Sequence, residues 1–306
     1  MESVQVSFSI INYYTWEFTR RCLLSIPLYI RDIRYEIIVI DNTPADGEGQ
    51  VPLEFSPDIP PFRIIRNHTN RGFGYAHNQA GEIAQGDYLL VLNNDTELLE
   101  TTGLDELINY MDQHPNVGVM GVMQLNQELK SIGPVAFGKF PNLIQIMAQY
   151  LLNRLPSDRF IHEAGPYHSV AHLNGAWLLF RKSVFGEVQG FSPEFFLYFE
   201  DTDICYKLYK KGYRVVYSSN HSIRHAGGES AAKAGSICSY WKSDYANYFG
   251  SLIIFMRKNR SYISGCLTRY IVMTGFLLRW IGFHLVKHQP IKAKGYWILW
   301  KTLKRS

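Results

Sequence analysis

Tyr88-Leu-Leu-Val-Leu-Asn-Asn-Asp95 joins an unbroken apolar run to a polar cluster that ends in a carboxylate. A run apolar at every position suits a strand covered on both faces, not one with a wet side. The same pattern recurs on either side of it. Tyr35-Glu-Ile-Ile-Val-Ile40 runs into Asp41, and Val4 to Ile11, Phe62 to Ile65 and Val117 to Met123 are further strands. Helical spacing falls between them, over Trp16 to Ile26 with a stop at Pro27, Gly74 to Ala84, and Leu104 to Gln113. Residues 42 to 61 are rich in Pro, Gly and Asp and read as loop. Alternating strands and helices predict an α/β fold with a Rossmann-like, mostly parallel sheet flanked by helices. Ligands of such sheets bind beyond the carboxyl ends of the strands, where Asp41 and Asp95 lie.

The stretch from Lys130 to His172 reads as loops over that site. Beyond it, Gly175 to Phe180 is apolar, and the acidic cluster Glu200-Asp201-Thr202-Asp203 opens a helix from Asp203 to Lys211, with Gly212 as its stop. Arg214 to Tyr217 is a further strand leading to His221-Ser-Ile-Arg-His225. Carboxylates at a sheet edge can hold a hard cation through oxygen or take a proton from an attacking hydroxyl. Either task suits removal of a group from a diphosphate. Glu200 and Asp201 equally suit the first turn of a helix, whose dipole favours acids, and Asp203 is the better candidate for a purely structural acid. Asp41-Asn-Thr-Pro44 is also good turn chemistry, and Trp177 lies in a run that could be core.

Charge is distributed unevenly. Of 31 Lys and Arg, eleven fall between Tyr245 and Ser306, a stretch without Asp or Glu, so an acidic body precedes a basic tail. The division predicts a domain over 1–230 and a basic, amphipathic helical region over 231–306. Such tails bind polyanions. Trp280, Trp297 and Trp300 beside basic residues favour an anionic membrane surface over nucleic acid, for which no module is present. The longest uncharged run, Tyr270 to Leu278, is far short of the ~20 residues that span a bilayer. Packing of these helices on the body, or a homo-oligomer contact, stays open. The N-terminus lacks a basic, signal-like region. Cys22, Cys205, Cys238 and Cys266 form no paired motif, which fits a reducing compartment.

Six stretches together resemble the family-2 glycosyltransferases of the GT-A fold, most closely the bacterial rhamnosyltransferase-like branch. They are Ser9 to Tyr13, Ile38 to Asn42, Asn70 to Asn78, Leu90 to Asp95, Gly175 to Arg181, and Gly190 to Cys205, in family order across about residues 4 to 228. The resemblance implies an inverting, metal-dependent hexosyltransferase using a nucleoside-diphosphate sugar, with dTDP-rhamnose or a UDP-sugar as donor. The acceptor would be a lipid-linked saccharide in polysaccharide or O-antigen synthesis, and the enzyme would be cytoplasmic, peripheral on the inner face of the cell membrane. It implies Asp201 as catalytic base and Asn12, Tyr13, Asp41, Arg71, Asn78 and Asn94 as donor contacts. Asp95, Asn93 and His225 would hold Mn2+ or Mg2+, with Trp177 and Glu200 facing the acceptor. The family's metal motif carries two carboxylates, whereas here Asn93-Asn94-Asp95 retains one. That thinning admits a catalytically inactive, nucleotide-sugar-binding scaffold as a rival. A sugar nucleotidyltransferase would need a glycine-rich basic loop where Asn12-Tyr-Tyr-Thr-Trp-Glu17 stands.

Overall fold

The computed structural model describes residues 3–45, 49–52, 54, 57–131, 137–153, 165–226 and 237–305. Chain contacts group them into two units: one within 1–139, 159–193 and 200–230, the other within 140–158, 194–199 and 231–306. Two segments from the first 230 residues thus join the C-terminal helices. The stretch expected to loop over the site falls partly outside the described residues, as do parts of the 42–61 loop and the 230/231 boundary.

The first unit is built around β4 (Tyr88–Asn93), whose apolar side chains are buried from Tyr88 to Leu92. It pairs in parallel with β1 (Val6–Asn12), which pairs in parallel with β2 (Tyr35–Asp41), followed by β3 (Arg63–Arg66). The crossovers α1 (Trp16–Tyr29), α2 (Phe73–Ile83) and α3 (Leu104–Gln113) flank the sheet. In α3 the buried Leu104, Leu107, Ile108 and Met111 recur at helical spacing and form one apolar stripe.

The full sheet runs β3-β2-β1-β4-β10-β6-β11-β5, with β8 also on β11. It is mixed, not mostly parallel. β10 (Trp177–Arg181) lies antiparallel between β4 and β6 (Val117–Leu125), and β5 (Thr96–Leu98) and β8 (Tyr167–Val170) are antiparallel to β11 (Arg214–His225). A strand inside a doubly covered sheet is apolar at every position whichever way it points, so the pattern carries no direction. β7 (Phe137–Gly138) and β9 (His172–Leu173) form a separate ribbon. α5 (Lys182–Glu187) follows β10.

Three element boundaries differ from expectation. Pro27 lies inside α1, because a missing N–H so near the end costs one bond before Ile30 N–H closes the helix on Ile26 O. α6 (Glu200–Lys210) begins three residues early, with all three acids in its first turn. β11 continues to His225 through an irregularity between Ser218 and Ser222, where polar residues interrupt the apolar run.

In the second unit, α7 (Ile237–Asn259), α8 (Tyr262–Ile281) and α9 (Pro290–Arg305) pack with α4 (Leu143–Tyr150). Phe249, Phe255, Val272, Phe276 and Leu299 are buried there, with Phe249 edge-on to Phe276 at 4.7 Å. A π-helical turn, Gly282–Val286, closes α8.

Candidate active site at the carboxyl ends of the strands

Asp41 ends β2 and is 1% exposed. Its Oδ1 accepts from Asn12 Nδ2 (2.9 Å) and Thr43 N (3.1 Å), and its Oδ2 from Val51 N (2.9 Å) and Arg66 Nη1 (3.2 Å). A carboxylate has about four acceptor positions, and all are taken. Asp41 therefore anchors the chain after β2. Asn12, fully buried, supports it from behind, donating also to Gly49 O and accepting from Thr19 Oγ1. Gly49 has φ 76, and a Cβ there would fall 2.5 Å from Tyr14 O. Only glycine fits so close an approach.

Asn94 turns its NH2 into the scaffold. Its amide hydrogens go to Thr15 Oγ1 (2.7 Å) and Thr19 Oγ1 (2.9 Å) at the start of α1. Asn78 clamps the backbone of Phe191 twice, donating to its O and accepting from its N, each at 2.8 Å. Gly190, at φ 53, leaves the room this requires, since any Cβ would strike Asn78 Oδ1. Four of the six expected donor contacts thus hold the scaffold together. Tyr13 and Arg71 remain exposed, Arg71 donating to Tyr75 Oη and lying over its ring. Trp177, expected to face the acceptor, is 1% exposed within the sheet core.

Asp95 follows β4 and meets His225 at the end of β11, with Oδ1 to Nε2 at 3.3 Å. The tautomer of that imidazole follows from a backbone amide. Ala176 N–H donates to Asn174 Oδ1 (2.9 Å), so the oxygen of Asn174 faces it. Gln124 must then turn its NH2 toward the same oxygen (3.3 Å) and its carbonyl toward His225 Nδ1 (2.9 Å). Nδ1 therefore carries hydrogen, and the Nε2 lone pair points at Asp95. Two electron-rich atoms facing each other call for a cation, either a second proton or a metal ion. Asn93 is half-buried, with its N–H on Ala176 O. A small cavity of about 140 Å3 opens beside Asp95, lined in part by Arg21, Asn94, Glu97 and Arg224. Arg224 pairs with Glu97 at 3.0 Å.

Gly175, adjacent to Asn174, donates its N–H to Asp201 Oδ2 at 3.0 Å. The network Asp95–His225–Gln124–Asn174–Gly175–Asp201 therefore spans the ends of β4, β6 and β11, the approach to β10 and the start of α6. Asp201 Oδ1 accepts from Thr202 N and Oγ1, which leaves one acceptor position open on a half-buried carboxylate. Glu200 is 5% exposed, and its Oε2 is buried without a hydrogen-bond partner. Burial, reinforced by the neighbouring Asp201 charge, holds its carboxyl well above the usual range. Tyr198 (φ 70) and Phe199 (φ 66) precede the pair in left-handed backbone, rare for aromatic residues and common where strain is kept for function.

Sequence reading missed Thr15, Thr19, Gln124, Asn174, Arg21 and Arg224. Arg224 adjoins His225 and could have been noticed. The others are single polar residues in ordinary contexts, and only the folded network singles them out.

The family model described as "Glycosyl transferase family 2" matches residues 7–188. The chain belongs to glycosyl transferase family 2. This glycosyltransferase is 27% identical over 238 residues to the N-acetylglucosaminyl-diphospho-decaprenol L-rhamnosyltransferase of Mycobacterium tuberculosis, covering 68% of this chain and 73% of that one. It is 27% identical over 169 residues to the rhamnosyltransferase WbbL of Escherichia coli, covering 51% and 61%. It is also 28% identical over 221 residues to the O-antigen biosynthesis protein RfbC of Myxococcus xanthus, covering 70% of this chain but 16% of that protein. Among solved structures, the mannosyltransferase PcManGT of Pyrobaculum calidifontis, in complex with GDP-Man and Mn2+, superposes with a TM-score of 0.57 at 14% identity. That match covers 100% of this chain and 87% of that one. TarS of S. aureus matches at TM-score 0.52 and 15% identity, over 94% and 47%. The fold of this family-2 enzyme is shared with both.

Proposed function

We propose that this glycosyltransferase moves a sugar, best read as rhamnose, from a nucleoside-diphosphate donor to a lipid-linked saccharide, with inversion at the anomeric carbon. The donor reading draws on the relatives named as rhamnosyltransferases, and the acceptor reading on those named for a diphospho-decaprenol substrate and for O-antigen biosynthesis. The basic C-terminal helices would keep the enzyme at the inner membrane surface, where such an acceptor resides. The observation that carries the chemistry is the chain of contacts by which Asp95 faces His225, His225 is held through Gln124 and Asn174, and the next residue, Gly175, donates its N–H to Asp201.

In this reading Asp201 accepts the acceptor hydroxyl's proton through its open position while that oxygen attacks the anomeric carbon. The new C–O bond forms as the bond to the diphosphate breaks, and the diphosphate departs with the electron pair. Backbone bonds from Gly175 and Thr202 hold the carboxylate in one orientation, so attacker and leaving group can stay in line. Arg21 and Arg224, which line the cavity beside Asp95, supply positive charge for the departing diphosphate. Tyr13 and Tyr14, exposed after β1, suit the base of the donor.

A divalent ion fits this donor set. Among the described residues no three His, Cys, Asp or Glu converge, but Mg2+-like ions are often held by one or two carboxylates with substrate phosphates completing the shell. Asp95 and the Nε2 lone pair of His225 would hold Mn2+ or Mg2+, which when bound neutralises charge developing on the diphosphate.

The test is Asp201→Asn, assayed for transfer from a panel of nucleotide sugars and for donor binding by calorimetry. Transfer should fall by at least a thousandfold, with donor affinity nearly unchanged. Near-normal turnover in the variant would remove Asp201 from the base role.

A further inference from the structure

The outer face of α8 carries Ile263, Leu267, Tyr270, Leu278 and Ile281, and the π-helical turn after it Leu285, all between 37% and 68% exposed. With Thr274, also exposed, in the one gap, successive positions are three or four residues apart, which puts them on a single face. The stripe is about 30 Å long at the helical rise per residue. Val286 and Ile291, each 74% exposed, extend it onto the turn into α9. The opposite face of α8 already packs inward through Val272, Gly275 and Phe276. An apolar surface this continuous is unusual on a protein that meets only water.

The charges beside it identify what covers it. Arg269 and Arg279 are committed inward: Arg269 to the carbonyls of Leu303 and Lys304, and Arg279 to those of Gln149 and Tyr150 at the end of α4. Lys287 and Lys292 both stand over the ring of Phe283, at 5.1 and 5.6 Å from its centroid, and Lys294 is exposed nearby. From Tyr245 to Ser306 there is no carboxylate to answer them. A second copy of the chain would bring a like-charged face, whereas paired helices normally match opposite charges across the seam. An anionic lipid surface supplies both missing partners, hydrocarbon for the stripe and phosphate for the lysines. Among the described residues no helix is long and apolar enough to cross a bilayer, and a one-sided stripe suits a helix lying flat.

We propose that α8 and the turn after it are the membrane-docking face, with the Ile263–Leu285 stripe in the interface and Lys287 and Lys292 on anionic headgroups. This rests on the membrane reading above and names the surface that would carry it.

The experiment is co-sedimentation of the full chain with vesicles of phosphatidylcholine, with and without phosphatidylglycerol. Wild type should bind only the anionic vesicles; binding to neither would remove the membrane reading and this face together. Leu278→Ser with Ile281→Ser and Leu285→Ser should weaken partitioning at least tenfold, and Lys287→Gln with Lys292→Gln by roughly thirtyfold. If wild type binds and the serine variant binds equally well, the docking face lies elsewhere while the membrane reading stands. Leu278→Trp with Leu285→Trp should bind more tightly than wild type while keeping its melting temperature; no gain counts against insertion. Light scattering without lipid should give the same mass for wild type and the serine variant. A dimer that the serine substitutions dissociate, with vesicle binding unaltered, would assign the stripe to a second copy instead.

Discussion

His225 owes its orientation to a backbone amide on another strand. Ala176 N–H fixes Asn174, Asn174 fixes Gln124, and Gln124 takes the imidazole Nδ1 hydrogen, so Nε2 is aimed at Asp95. Partners of this kind typically govern metal affinity by ten- to a hundredfold. Gln124→Leu should lower Mn2+ affinity within that range, read by calorimetry on the protein alone. Gln124→Glu, which still accepts from Nδ1, should recover most of it; a silent Leu variant would show that the ring is held by something else. Glu200 gives a pH-dependent outcome. Its folded-state carboxyl titrates well above the ordinary value, so over the intervening range the native state holds a proton that the unfolded chain has lost. Stability contributed by this group is present at acid pH and is lost as pH rises through the shifted value. Glu200→Gln mimics the neutral acid. Its melting temperature should match wild type in acid and exceed it increasingly toward neutral pH. At this scale sequence alone read types but not partners: Asp41, Asn78 and Asn94 were visible as polar residues at strand ends and loops. Whether an amide faces a ligand or a neighbouring backbone is decided by residues as far as 113 positions away.

Among the elements, the ones read correctly are those whose periodicity is set by burial. β1, β2, β4 and α3 declare themselves because each buries a whole run or one clear stripe. The direction of β10 was not legible, since reversing a fully covered strand leaves its apolar pattern unchanged. The second half of β11 was hidden by Ser218 to Ser222, whose hydroxyls find side-chain partners both near, as in the Ser218–His221 contact at 2.7 Å, and far, as in the Thr101–Ser222 contact at 2.6 Å. Nor could sequence reveal that Asn78 of α2 holds the backbone of Phe191. Asn78→Ala would strand the N–H and carbonyl of Phe191 and should destabilise the fold by about 2 kcal/mol, measured by urea unfolding. Asn78→Asp, which can still accept from Phe191 N–H but sets a carboxylate oxygen against the Phe191 carbonyl, should cost at least as much. Donor affinity of the folded fraction should not move in either variant; a specific loss of donor binding would return Asn78 to the sugar-nucleotide site.

Over the whole molecule, charge asymmetry needs no knowledge of contacts, and from it composition proposes an acidic part over 1–230 and a basic helical part over 231–306. It did not carry the recruitment of residues 140–153 and 194–199 to the helical unit, which depends on packing alone. The chain-wide equilibrium is also where binding can be read without assuming any acceptor. A ligand that binds only the folded state stabilises it by mass action, about 2.7 kcal/mol at a hundred times its dissociation constant. For a domain of this size that corresponds to a rise of roughly 5–10 °C. The favoured donor, dTDP-rhamnose, should therefore raise the melting temperature by several degrees in the presence of Mn2+, and by clearly less with a chelator. Asp201→Asn should keep the full shift, since its carboxylate is needed only once an acceptor arrives. Asp95→Ala should show only the chelator-sized shift, with or without Mn2+. If the rise is the same in wild type whether the metal is present or removed, Asp95 and His225 hold the donor without a metal ion, and the facing lone pairs must be reconciled by a proton between them.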